Sequence, residues 1–204
     1  GYSDLYESSC DIDTLVSIQR QALEALGEAG PYILAPHSMS GLEAIRWKQK
    51  YPDDVSAIVG IDMATPLSFS VWTEEDIKKT VRLMQVVRKL KLASILSSVS
   101  TLSLTENEIE QHKLLKKRNA FNICCMNEAR EVLQNARVVG EAGDIACPML
   151  LFCSNGEDQE RDWVKNQVRF AASMGARLIC YDCGHYIHHV KSDEMCKEIV
   201  AFIH

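Results

Sequence analysis

The sequence predicts an α/β domain built on a doubly wound, mostly parallel sheet and interrupted by a helical insertion. Three observations carry that expectation. Short apolar runs at Tyr32–Ala35, Val55–Ile61, Pro148–Cys153 and Ala176–Tyr181 have the length and composition of buried strands. Segments of helical period stand between them, and strands alternating with helices imply crossovers and therefore parallel pairing. From about Pro66 to Asp144 the strand rhythm stops and only helical signals appear. The chain thus reads as a core over 1–66, an insertion over 67–144 and the rest of the core over 145–204.

Each element has its own signal. Asp11 or Asp13 can cap a first helix that reaches about Leu26, with Leu15, Ile18, Ala22, Leu23 and Leu26 on one face and Gly27 and Gly30 as the stop. The run Tyr32-Ile33-Leu34-Ala35 ends in the sharp turn Pro36-His37-Ser38-Met39-Ser40-Gly41. Leu42, Ile45 and Trp47 then restart a helical period, which ends before Tyr51-Pro52. A second strand closes at Asp62, before the break at Thr65-Pro66. In the insertion, Thr73-Glu-Glu-Asp76 and Thr105-Glu-Asn-Glu108 each place a hydroxyl and a carboxylate three residues apart, the pattern of a capping box. Beyond it, a helix containing Val164, Val168, Phe170 and Ala171 separates the last two strands. A final helix, capped by Ser192 or Asp193, puts Met195, Ile199 and Phe202 on one face.

Composition narrows the function classes. With 204 residues, 47% hydrophobic and 25% charged, the chain can bury a substantial core. A net charge of −6 offers no basic face for a nucleic acid, so small or neutral ligands fit better. Of the eight cysteines, Cys153 and Cys180 lie in apolar, strand-like runs and Cys124 and Cys125 are neighbours, which suits reduced thiols, and the Cys180-x-x-Cys183 pair has no second pair at zinc-ribbon spacing. No metal or cofactor is called for. No run approaches the ~20 apolar residues that span a bilayer. Residues 1–30 carry no signal-peptide pattern, which points to the cytoplasm.

The chemistry concentrates at the turn after the first strand. A serine hydroxyl becomes a nucleophile when a base removes its proton and when it stands clear of its own backbone. A strand-to-helix elbow supplies the second condition, provided that small residues flank the serine at two positions either side. Here those positions are Pro36 and Ser40 around Ser38, and Gly41 permits close helix packing. The usual Gly-x-Ser-x-Gly is therefore altered at both glycines.

His-Ser-Met followed by small residues, behind a strand and with Gly1-Tyr2-Ser3-Asp4 at the start, resembles the α/β-hydrolase family of esterases, lipases and peptidases. The resemblance extends over essentially the whole chain and implies an α/β-hydrolase fold with a helical cap. It also implies that Ser38 is the nucleophile and that the base is a histidine after the last strand. Cys183-Gly184-His185-Tyr186 stands there, which nominates His185, with His188 and His189 as a polar rim and His37 beside the elbow. For the acid, the resemblance points to Asp158, or, as in members that carry it one strand earlier, to Asp62. An unpartnered carboxylate at the end of so apolar a strand would be costly to bury, which favours a partner for Asp62; Asp158 sits among Glu157, Glu160, Arg161 and Asp162.

The backbone N–H of Met39 would supply one donor of an oxyanion hole. The second belongs, in the family, to a loop that would precede Gly1. The resemblance therefore implies an N-terminally incomplete domain, either a naturally reduced variant or, as favoured because losing central strands would expose parallel-sheet edges, one whose first strands lie in a further segment of the same protein, a partner for this chain. In the insertion, Lys78, Lys79, Arg82, Arg88, Lys89 and Lys91 alternate with Ile77, Val81, Met84 and Val87. That is a basic amphipathic helix, read as a cap helix rather than a membrane-surface one, and Met84, Leu90, Leu92 and Ile95 are candidates to line an apolar pocket. The expectation is a serine hydrolase for a carboxylic ester, with an amide the less favoured substrate. The competing expectation is a non-catalytic protein of the same fold that binds an apolar small molecule.

Overall fold

The computed structural model describes residues 5, 9–92, 104–160 and 162–204. Gly1–Asp4 and Ile95 lie outside them. The chain forms two compact units, Gly1–Asp11 with Trp72–Leu133 and Ile12–Val71 with Gln134–His204.

The second unit holds a four-stranded sheet in which β1 (Tyr32–Leu34), β2 (Val55–Ile61), β3 (Met149–Cys153) and β4 (Arg177–Cys180) lie side by side in that order, all parallel. Helices α1 (Ile12–Ala25), α2 (Ser40–Lys50), α6 (Trp163–Met174), the short α7 (Ile187–Val190) and α8 (Ser192–Ile203) flank it. Because side chains alternate along a strand, the sheet has two faces. Leu150 and Phe152 of β3 pack with Val59, Ile187 and Met195, and Ile199 and Phe202 of α8 join them. Cys153 points the other way, onto Trp163 of α6 and Ala64.

β2 and β3 are almost wholly buried, as central parallel strands require. β1 is not the buried strand that its apolar composition suggests. Ile33 is 47% exposed, because among the described residues β1 pairs only with β2. The predicted face of α1 also differs. Ile12 and Val16 are its buried residues, whereas Ile18 and Leu26 are exposed. Nor does Asp13 act as a cap. It sits inside the helix, paired with Arg46 at 2.8 Å, and the first N–H of α1, on Ile12, is taken by the side chain of Asn135 at 2.8 Å. In α6, Val168 is half-exposed while Trp163, Asn166, Gln167, Phe170 and Ala171 are buried. α8 begins at Ser192 without a side-chain cap.

The other unit contains α3 (Glu74–Lys89), α4 (Glu106–Asn119) and the start of α5 (Ile123–Glu141). Both capping boxes form as the spacing predicts. Thr73 and Asp76 exchange hydrogen bonds at the head of α3, and Thr105 and Glu108 at the head of α4. Ile77, Val81 and Val87 are the buried residues of α3. Among the described residues no helix is long and apolar enough to cross a membrane.

Candidate active site

In a parallel sheet every strand runs the same way, so all the loops after the strands emerge at one edge, where α/β folds place their ligands. The predicted site residues follow this rule. Ser38 and Met39 come after β1, Asp62 after β2, Asp158 after β3 and His185 after β4.

The turn after β1 is an elbow. Ser38 has φ +57°, a left-handed conformation that serine seldom adopts and that must be held by its surroundings. Its carbonyl accepts from Gly41 N–H at 3.0 Å and from Ala64 N–H at 2.7 Å. The buried Pro36 accepts from Ile61 N–H at 2.8 Å, which ties the turn to the end of β2. Ser40 occupies one of the altered glycine positions, and its hydroxyl accepts from His37 N–H at 3.1 Å and donates to His37 C=O at 2.8 Å. Gly41 has a strict reason to be glycine. A Cβ there would lie 2.2 Å from Ala64 O. Met39 is the residue from which α2 starts, so its backbone stands at the helix N-terminus.

Asp62 is completely buried and also left-handed, with φ +43°. Its Oδ1 accepts from Ser154 N–H and from the Trp163 indole N–H, both at 2.8 Å. Its Oδ2 accepts from Nδ1 of His185 at 2.6 Å. Burial pushes the Asp62 carboxyl up, but the hydrogen bonds from His185, Ser154 and Trp163 together outweigh it and hold the group below its ordinary value. The burial argument for a partner thus has its answer in three donors. Ser154 and Trp163 were not foreseen, although a buried indole N–H always needs an acceptor.

Asp158 meets His185 at another point. Its two carboxylate oxygens accept from the His185 main-chain N–H at 3.1 and 3.3 Å. His37, one residue before Ser38, donates from Nε2 to the His185 carbonyl at 3.2 Å, and the two rings stand 4.5 Å apart. The Trp163 ring meets the His185 ring edge-on at 5.9 Å. His188 and Tyr186 complete the surround, at 4.9 and 5.3 Å from the His37 ring. Burial keeps both His37 and His188 below the usual histidine value, and the neighbouring imidazoles lower His188 further. With Nδ1 committed to Asp62, an imidazole held this way presents Nε2 for proton transfer.

All eight cysteines are free thiols, and two of them, Cys180 and Cys196, are exposed.

No family profile matches the chain. The uncharacterized protein YbdG of Bacillus subtilis is 31% identical over 143 residues, which is 66% of this chain and 44% of that protein. The chain thus spans less than half the length of this curated relative. An α/β-hydrolase enzyme from a Medee basin deep-sea metagenome library superposes on all of the chain and 75% of its own, with TM-score 0.70 and 18% identity. An esterase from Exiguobacterium antarcticum does so over 100% of this chain and 77% of its own, at TM-score 0.68 and 15% identity. A structure from a study of carboxylesterases of Nitrososphaera gargenis covers 98% of this chain and 74% of its own, at TM-score 0.60 and 18% identity. Parallel strands flanked by helices, with hydrolase structures that follow the whole chain, show that it has the α/β-hydrolase fold.

Proposed function

We propose that the protein is a serine hydrolase that cleaves a carboxylic ester through an acyl-enzyme. The reading is carried by one observation, the buried 2.6 Å bond between Asp62 and His185 Nδ1 beside an elbow that holds Ser38 in a left-handed conformation. In this reading His185 Nε2 takes the Ser38 hydroxyl proton as Oγ attacks the ester carbonyl. The tetrahedral oxyanion is met by the N–H of Met39 at the head of α2. Collapse breaks the C–O bond to the leaving alcohol, which receives the proton from His185. Water, deprotonated by the same imidazole, then attacks the acyl-Ser38 and frees the acid. Asp62 holds the imidazole in the Nδ1–H tautomer and stabilises its cation. The carboxylesterases and esterases among the structural neighbours support this reaction class.

A fluorophosphonate probe tests the assignment directly. The wild-type protein is expected to be labelled once, at Ser38, and Ser38→Ala not at all. Labelling that survives the substitution would sink the assignment.

A further inference from the structure

The Asp62–His185 pair accounts for the imidazole ring but not for what keeps His185 in place. His185 lies in a loop between β4 and α7, where no ladder or helix hydrogen bond fixes its main chain. Both of its main-chain groups are nevertheless engaged, and by residues from two other strand ends. Asp158, after β3, accepts from its N–H at 3.1 and 3.3 Å. His37, after β1, donates to its carbonyl at 3.2 Å.

The anchors are themselves anchored. His37 has its own N–H and C=O bridged by the Ser40 hydroxyl. The Asp158 loop is laced to the His185 loop by Asn155 N–H to Cys183 O at 2.9 Å and by the Asn155 amide to Asp182 at 3.1 Å. Gly184 fits against Asp158 so closely that a Cβ would lie 3.0 Å from its Oδ2.

We propose that Asp158 and His37 are positioning residues that clamp the main chain of His185 from its two sides, so that the base is locked to the elbow carrying Ser38. Asp158 therefore works through the peptide N–H and Asp62 through the ring, and the two carboxylates near the base have separate tasks. This inference rests on the serine-hydrolase reading. A loop residue held at one point only can swing, and a misplacement of about 1 Å at a reacting group can cost roughly 100-fold in rate.

Four variants test the clamp. Asp158→Leu removes the acceptor, while Asp158→Asn keeps one. His37→Phe keeps the ring stacking and removes the donor, while His37→Gln returns an amide N–H at comparable reach. Two readouts are taken on each: kcat and KM for a p-nitrophenyl ester, and the far-downfield proton resonance of His185 Nδ1–H in its bond to Asp62. Asp158→Leu and His37→Phe are expected to lose about 100-fold in kcat with KM within about threefold, and to broaden or shift the resonance. Asp158→Asn and His37→Gln are expected to recover at least about tenfold of that loss and to keep the resonance.

Unchanged kcat and resonance in Asp158→Leu and His37→Phe would overturn the clamp, as would an Asp158→Asn variant as impaired as Asp158→Leu. Should Asp158→Leu not fold, the His37 pair carries the same decision. Because the resonance is read without turnover, the two readings fail separately. A wild-type protein that neither hydrolyses esters nor takes up fluorophosphonate, but whose resonance responds to the variants as stated, overturns the hydrolase reading and supports the clamp.

Discussion

Asp62 shows how much one residue can depend on its neighbours. A fully buried carboxylate without partners would be strongly destabilising, but here both oxygens are occupied by three donors. Replacing it by Asn retains the size and leaves an amide that cannot stabilise an imidazolium. The expected outcome for Asp62→Asn is a fall in kcat of about 10⁴ with the fold retained, measured by ester hydrolysis and circular dichroism. Asp62 should also shape the acid limb of stability. Its folded pKa lies below its unfolded value, so its contribution is present above the unfolded pKa and is lost as pH falls through the folded one. The urea midpoint of the wild type is therefore expected to decline below about pH 4, and that of Asp62→Asn to decline less. Parallel declines would refute the linkage. The candidates Ser38 and His185 were legible because their signals are local, a strand followed by a sharp turn and a Gly-His after an apolar run. Which of Asp62 and Asp158 meets the His185 ring and which its main chain was not. Ring and main-chain contacts with one histidine differ only in how two loops are traced, and that trace depends on Trp163, Ser154 and Gly184 together.

At the scale of elements, the close approach of α2 to the end of β2 decides the shape of the elbow. Gly41 makes that approach possible, and two effects compete when it is changed to alanine. Helix propensity favours Ala by about 1 kcal/mol. A Cβ 2.2 Å from a backbone oxygen forces a shift of the helix or the loop, typically costing 1–3 kcal/mol or more, and the obstacle is backbone rather than a flexible side chain. The clash wins, so Gly41→Ala is expected to lower the melting temperature and to weaken fluorophosphonate labelling of Ser38. A higher melting temperature would show that the elbow relaxes freely. α1 offers a second case. Its N-terminus is capped by Asn135, 123 residues away, rather than by the neighbouring Asp13. Asn135→Ala is expected to cost about 1–2 kcal/mol, read as a lower urea midpoint. Such a cap was hidden in the sequence, since Asp13 looks like a local one. The buried face of α1 was hidden too, because an apolar residue such as Ile18 reports its preference and not its neighbours. By contrast, Thr73 and Thr105 marked the starts of α3 and α4 correctly, since a capping box is complete within four residues.

Over the whole molecule, burial is distributed unevenly, and protection from exchange should follow it. β2 and β3 carry residues with no exposure, such as Ile58 and Leu150, and each pairs with strands on both sides. Their amides can exchange only when the sheet itself opens, which is the costliest event available to that unit. α4, in the other unit, has no buried residue, and Leu114 is 61% exposed. With no residue fully buried to hold it, local opening should suffice there. Hydrogen exchange followed by mass spectrometry is thus expected to rank β2 and β3 slowest and α4 among the fastest, and equal protection of α4 would contradict the burial pattern. The consequence reaches the site, because Ser38, Asp62, Asp158 and His185 hang from four adjacent strand ends and none belongs to α3 or α4. Rising urea should therefore leave fluorophosphonate labelling intact while the α4 amides lose protection, and labelling should vanish only in the transition that releases β2 and β3. Loss of labelling in step with α4 would mean that the second unit alone does not hold the site together.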